Sequence, residues 1–448
     1  LAVEACLGGQ DSFAVQIGIK FMKRSSLGVL AIAALGAMVS SCSNASSVSS
    51  FSPATTGGQF RDAHGVRPAQ AYQTLYSFLG GSDGAAPQGG LINGQYGTTL
   101  YGGGSGCGGG GCGTVYNYNR TGNTESILYS FAGGSDGKRP AARLLYENGV
   151  YYGTTTAGGG SGCGGAGCGV IFAITQSGSE TILHSFAGGS DGANPTSRLD
   201  DVGGTFYGTT TLGGSGCGGQ GCGTVYSVTP SGSSYSVLHR FTGHSDGAHP
   251  RGSLIDKAGV LYGTTTRGGG SGCGGPGCGT IYRMTTGGSE TVMHDFRGGL
   301  SDGAYPDDGL VLSNGILYGT TQIGGPKSVG TLYSITTSGT YGVVYSFVGG
   351  PNDGANPTSV VLAYNSTLYG TTQRGGSSDQ GTLYGYTPGT TPVESVLHSF
   401  TGGSDGAFPY SGVIQVQGTL YGTTTEGGVY GCYGYGGYGC GTLYSLTP

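Results

Sequence analysis

Tyr-Gly-Thr-Thr occurs seven times in this chain, starting at Tyr96, Tyr152, Tyr207, Tyr262, Tyr318, Tyr369 and Tyr421, at intervals of 51 to 56 residues. Self-similarity at that period limits the architecture before any single residue is interpreted, because each unit must bury itself against its neighbours. A second signature keeps the same beat: Phe78, Phe131, Phe186, Phe241, Phe296, Phe347 and Phe400 each precede an Asp-Gly-x-x-Pro segment. Every unit holds four strand-like runs. In the fourth they are Gly252–Ile255, Val260–Thr266 and Gly279–Met284, joined by Tyr235–Phe241 from the end of the third. The link Thr229-Pro230-Ser231-Gly232-Ser233 is short and turn-like, so the third and fourth strands form a hairpin. No run suits an amphipathic helix. Four short antiparallel strands repeated seven times predict an all-β, seven-bladed β-propeller; a β-solenoid normally has shorter rungs.

The ends of the repeat region carry an offset. Tyr72–Phe78 matches the fourth-strand column, and Gly441–Leu446 matches the third. Pairing the N-terminal strand with the C-terminal strand would close the last blade and leave no open edge. The repeats therefore read as one domain over 72–448.

Composition narrows the function. Charged residues make up 9% of the chain, with Lys+Arg 18 against Asp+Glu 23, which gives no footprint for nucleic acid. The 102 glycines lack a three-residue period and fall between Val, Ile, Leu, Thr and Tyr runs, so they read as turns between strands and not as collagen or disorder.

The N-terminus reads as an address. Lys23 and Arg24 precede an apolar run from Leu27 to Val39, the pattern of a secretory signal over 22–41. Val39-Ser40-Ser41-Cys42 resembles a bacterial lipobox, which implies lipidation of Cys42 and attachment to a membrane through acyl chains. Ser43 follows where an Asp would, by the same resemblance, mean inner-membrane retention, so the expected location is the outer membrane or cell surface. Residues 42–71 read as a flexible tether. Met22 sits where an initiator belongs, so 1–21 reads as upstream sequence outside the translated protein.

Ten cysteines fall between second and third strands: Cys107/Cys112, Cys163/Cys168, Cys217/Cys222, Cys273/Cys278 and Cys432/Cys440. In an exported protein the economical reading is one disulfide per loop. Zinc would need four ligands together, and these pairs sit on separate blades. Asp83, Asp136, Asp191, Asp246, Asp302, Asp353 and Asp405 each precede Gly and stand four residues before Pro. One carboxylate per loop is short of a Ca²⁺ site, so they read as turn caps. No metal and no cofactor is expected. Tyr430, Tyr433, Tyr435 and Tyr438 decorate the longest cysteine loop, alternate with Gly and have no counterpart in other units. Exposed Tyr on a Gly-rich loop suits contact with sugars or proteins, against the plainer reading of a loop covering its own blade. The column Tyr76, Tyr129, His184, His239, His294, Tyr345, His398 reads as surface or packing.

The order of apolar strand, Asn-Gly turn, Leu-Tyr-Gly-Thr-Thr, Gly-Gly, Thr-Val-Tyr, turn and strand resembles a Kelch blade without its outer-strand Trp. The whole repeat more closely resembles the GloVer repeat of bacterial extracellular proteins (the Gloeobacter and Verrucomicrobia type), over all seven units. That resemblance implies an extracellular repeat protein with a surface anchor. In such a propeller the second-to-third and fourth-to-first connections share one face, which gathers the cysteine and Asp-Gly loops around the mouth of the channel. The expected role is a non-catalytic binding module for a glycan or a surface protein. A structural envelope or matrix protein is the alternative, with an enzyme acting on polysaccharide behind both. Asp307 and Asp308 form a local carboxylate pair just beyond Pro306, and neighbours on a strand would point to opposite faces, a poor catalytic dyad.

Overall fold

A computed structural model describes residues 71–389, 393–428, Cys432 and 439–448. These form seven four-stranded antiparallel sheets arranged as propeller blades, plus one two-stranded pairing of Gly303–Ala304 with Ile323–Gly324. The fourth blade runs outward as Ile255–Lys257, Val260–Thr265, Thr280–Thr285 and Glu290–Asp295. Its first two strands join through Ala258-Gly259, both at positive φ (56° and 81°), the turn whose twist matches a tight hairpin. The innermost strand begins at Ile255 and not at Gly252, a correction to the sequence reading. Ladder pairing lapses after the bridge from Ala248 to Arg267 and resumes at Ile255. In the seventh blade the outer strand is Ala71–Ser77, paired antiparallel to Thr442–Thr447 with Ala71 opposite Thr447 and Ser77 opposite Thr442.

The repeat signature follows from packing. Glycine in Tyr-Gly-Thr-Thr leaves room for a third-strand ring: a Cβ on Gly263 would stand 2.5 Å from the Tyr282 hydroxyl. Except in the second blade, where Val170 stands there, the second Thr bonds the first Thr of the third strand, as in Thr265 to Thr280 at 2.9 Å and Thr210 to Thr224 at 2.8 Å. In five units the first Thr reaches the next blade, as Thr264 does in donating to the Asp308 carbonyl at 2.9 Å. Phe241 meets Tyr282 edge-on at 5.3 Å, and both are fully buried. Such contacts divide the core into seven apolar clusters, each shared between neighbouring blades.

Blades are also tied through the backbone. The residue before each repeated Pro (Ala86, Arg139, Asn194, His249, Tyr305, Asn356, Phe408) has φ between 50° and 60°. A left-handed non-Gly residue costs about 1–3 kcal/mol unless its surroundings enforce it. Here its N–H donates to the preceding blade, as from His249 to the Cys222 carbonyl at 2.6 Å and from Ala86 to the Cys440 carbonyl at 2.8 Å. The Pro ring then lies on the glycine after that residue: a Cβ on Gly223 would meet Pro250 at 2.5 Å, and one on Gly441 would meet Pro87 at 2.6 Å. No described helix is long and apolar enough to cross a membrane.

Candidate functional site

The repeated aspartates cap the turn that carries them. Asp83, Asp136, Asp191, Asp246, Asp302, Asp353 and Asp405 each accept the backbone N–H of the residue after the repeated Phe, at 2.5 to 3.0 Å. The outer-strand column supplies a second contact to each, from Tyr76, Tyr129 and Tyr345 hydroxyls at 2.7 to 3.1 Å and from His184, His239, His294 and His398 at 3.1 to 3.5 Å. Among the described residues no cluster of three His, Cys, Asp or Glu is placed to hold a metal ion.

Five disulfides join the paired cysteines within their own loops: Cys107–Cys112, Cys163–Cys168, Cys217–Cys222, Cys273–Cys278 and Cys432–Cys440. Each supports the adjacent Asp-Gly loop; a Cβ on Gly243 would lie 2.7 Å from both sulfurs of Cys217–Cys222. In the blades without cysteines, Val329 and Gln380 occupy that place beneath Gly349 and Gly402. The cysteine and Asp-Gly loops therefore share one face, joined by bonds such as Gly214 N–H to the Gly189 carbonyl at 2.7 Å. Five bridges suit an exported protein in an oxidising compartment. Tyr430, Tyr433, Tyr435 and Tyr438 lie outside the described residues, as do Cys42 and everything before residue 71. The loop's anchoring bridge, Cys432–Cys440, borders a cleft of about 190 Å³ whose other walls include Gln88 and Leu100.

Gln88 and Leu100 also line a larger cavity of about 500 Å³, to which all seven units contribute through the residues that follow the repeated Pro. This is the axis of the ring. Arg143, Arg198 and Arg251 come from three consecutive blades, Asp307 and Asp308 from the next, and Tyr410 from the seventh. Arg251 pairs with Asp307 at 2.9 Å, and Asp307 also accepts from Gln322 at 2.8 Å and Tyr410 at 3.0 Å. Arg198 reaches Asp200 at 3.2 Å. Asp308 accepts the Gly309 N–H at 2.7 Å; burial first, with Asp307 adding to it, pushes its carboxyl up to about 6. Burial, aided by repulsion from Arg198, brings Arg143 down to about 10.

The strand alternation expected for Asp307 and Asp308 does not apply: residues 305–307 and 309–310 belong to no strand and 308 is a bend, and both residues line the axial cavity.

A family model for the Gloeobacter/Verrucomicrobia repeat matches residues 65–220 and 164–359, more than half of the chain. The chain belongs to the Gloeobacter/Verrucomicrobia repeat family. No curated protein sequence matches it significantly. Among solved structures it is similar to an oligogalacturonate lyase in complex with manganese (10% identity, 84% of this chain and 92% of that one, TM-score 0.47). It is also similar to a putative 6-phosphogluconolactonase from Bacteroides uniformis (11% identity, 69% and 84%, TM-score 0.46) and to a chain of a nidogen/laminin complex (14% identity, 63% and 90%, TM-score 0.37). Likeness at this level carries no argument about activity.

Within the Gloeobacter/Verrucomicrobia repeats of this chain, the frame is constant and the axial positions are not. The first residue after Pro is Gln88, Ala141, Thr196, Arg251, Asp307, Thr358 or Tyr410; the third is Gly90, Arg143, Arg198, Ser253, Gly309, Val360 or Gly412. Asp307 is marked in the sequence as half of a carboxylate pair, and the others carry no recurring signature there. Their signal was the reverse, loss of recurrence in the three positions after an unvarying Pro.

Proposed function

We propose that this chain is a non-catalytic binding propeller of the bacterial exterior, which takes a glycan in its axial cavity with the disulfide-stapled face as the mouth. The observation that carries this reading is the contrast just described: blades with a shared frame differ at the three positions after the repeated Pro, where they meet at the axis. A cavity of about 500 Å³ falls in the range of small-ligand sites. Its walls mix Leu100, Leu310 and Val413 with Thr196, Ser253 and Tyr410, apolar surface with scattered hydrogen-bonding groups as a saccharide requires. What favours binding over catalysis is that the Asp307 carboxylate is held on both oxygens by Arg251, Gln322 and Tyr410, leaving it a poor general base. Lipidation of Cys42 would hold the propeller at the outer membrane, with the following residues as its tether.

A glycan and polysaccharide screen on the oxidised protein, with and without Ca²⁺, tests the reading. Saturable binding that is lost in Tyr410→Ala and kept when Tyr433 and Tyr435 are both changed to Ala is the expected result. Loss only in the tyrosine-loop variant would move the site to that loop. Capture of a surface protein with no glycan would replace the ligand class, and inertness with self-association would favour a matrix role.

A further inference from the structure

We propose that Arg143 and Arg198 form an anion-receiving pair on the axis, built for the carboxylate of an acidic saccharide; this rests on the axial cavity being the binding site. The fold does not ask for either arginine. At the same position the other blades carry Gly90, Ser253, Gly309, Val360 and Gly412, and the tie made by the residue before Pro is present in all seven. The chain has only 18 Lys and Arg in 448 residues, yet four arginines, Arg139, Arg143, Arg198 and Arg251, line this cavity. Desolvating a cation is unfavourable unless a partner compensates.

Compensation is incomplete within the protein. Arg251 has Asp307 and Arg198 has Asp200, but Arg143 has no ion pair among the described residues. The Nε atoms of both Arg143 and Arg198 are buried without a hydrogen-bond partner. Planar guanidinium groups with free N–H donors on adjacent blades are suited to a forked grip on a carboxylate. Asp308 interacts electrostatically with both arginines, beside Asp307, Tyr333 and Tyr410. A ligand carboxylate arriving at the pair competes with it. Protonation of Asp308 removes that competition, so binding takes up a proton and strengthens as pH falls through about 6.

Calorimetry on the oxidised protein tests this with four probes: a uronic-acid oligosaccharide, its methyl ester, a sulfated oligosaccharide of equal length, and inorganic phosphate. The expected result is uronate binding at least tenfold tighter than ester binding, with tighter binding and net proton uptake at pH 5.5 relative to 7.5. Arg143→Ser and Arg198→Ser copy the Ser253 of the fourth blade, so they preserve the fold; each should lose the preference for uronate over ester and the proton uptake. Equal binding of uronate and ester overturns the anion pair and leaves the axial site standing. Phosphate or the sulfated chain binding as tightly as uronate overturns the carboxylate assignment. Failure of every saccharide overturns both readings.

Discussion

The Tyr235 ring lies flat on His184 of the preceding blade, with centroids 3.6 Å apart and planes within 8°, and its hydroxyl donates to the Asp191 carbonyl at 2.7 Å. Tyr341 on His294 and Tyr72 on His398 repeat the stack at 3.6 and 3.7 Å. Where the first blade of a junction offers Tyr instead, the second offers Glu: Glu125 acts on Tyr76, Glu180 on Tyr129, and Glu394 accepts from Tyr345 at 3.3 Å. The junction of His239 and Glu290 is the exception. Two columns about fifty residues apart in sequence thus vary together, because each pair shares one Asp at a blade junction.

That coupling predicts a non-additive mutant pair. His184→Tyr alone places two tyrosines against Asp191, a combination found at no junction, and should destabilise by about 1–2 kcal/mol. Adding Tyr235→Glu recreates the Tyr345–Glu394 arrangement and should recover most of the loss, a coupling on the order of 1 kcal/mol in a double-mutant cycle read by urea unfolding.

The same junctions set a pH dependence. Burial first, with a neighbouring Asp adding to it, pushes Glu125 up to about 8 and Glu180, Glu290 and Glu394 up to about 7. An unfolded chain releases these protons near 4.5, so between that value and about 8 the folded protein binds more protons and loses stability as pH rises. His239, lowered chiefly by burial, works in the opposite sense, as one group against four. Asp191, Asp302 and Asp405 are held below the usual carboxylate value despite burial, by His184, His294 and His398 first among their partners, and their contribution disappears only at acid pH below that value. Tm should be higher at pH 5 than at pH 8.5, and changing all four glutamates to Gln should flatten that slope.

The third-strand tyrosines carry a hydroxyl the core does not use. Tyr116, Tyr226, Tyr282, Tyr333 and Tyr444 bury their oxygens without a partner, and the second blade has Phe172 at this position. Burying an unsatisfied polar group costs about 1–3 kcal/mol, so Tyr282→Phe should leave stability unchanged or raise it by up to about 1 kcal/mol, read as a higher Tm.

The disulfides are local staples. Their cysteines are 5 residues apart in four loops and 8 in the last. Rings this short contribute at most about 2–3 kcal/mol each on a chain-entropy estimate. Reduction should lower Tm while the β-sheet circular dichroism persists at 25 °C, since the blades with Val329 and Gln380 already manage without a bridge.

What the sequence disclosed and what it concealed have the same physical origin. Tyr-Gly-Thr-Thr was legible because its Gly makes room for a third-strand ring and its second Thr bonds the third strand in most blades, as Gly263 and Thr265 do, so the packing favours one solution again and again. Cysteine pairing was legible from spacing alone. The inter-blade tie at His249 was not, because a left-handed residue before Pro runs against local preference and is set by the preceding blade. Arg143 and Arg198 were invisible to a search for repetition, because five of the seven units carry Gly, Ser or Val at their position, and the two lie in separate units that meet only at the axial cavity.

Hydrogen exchange in the presence of whichever glycan the screen returns tests the central claim most directly. The account predicts added protection in peptides covering 141–143, 196–198, 251–253, 307–309 and 410–412 together, from separate blades at one axis. Protection confined to outer strands or to the 429–438 loop, with those five segments unchanged, would contradict it.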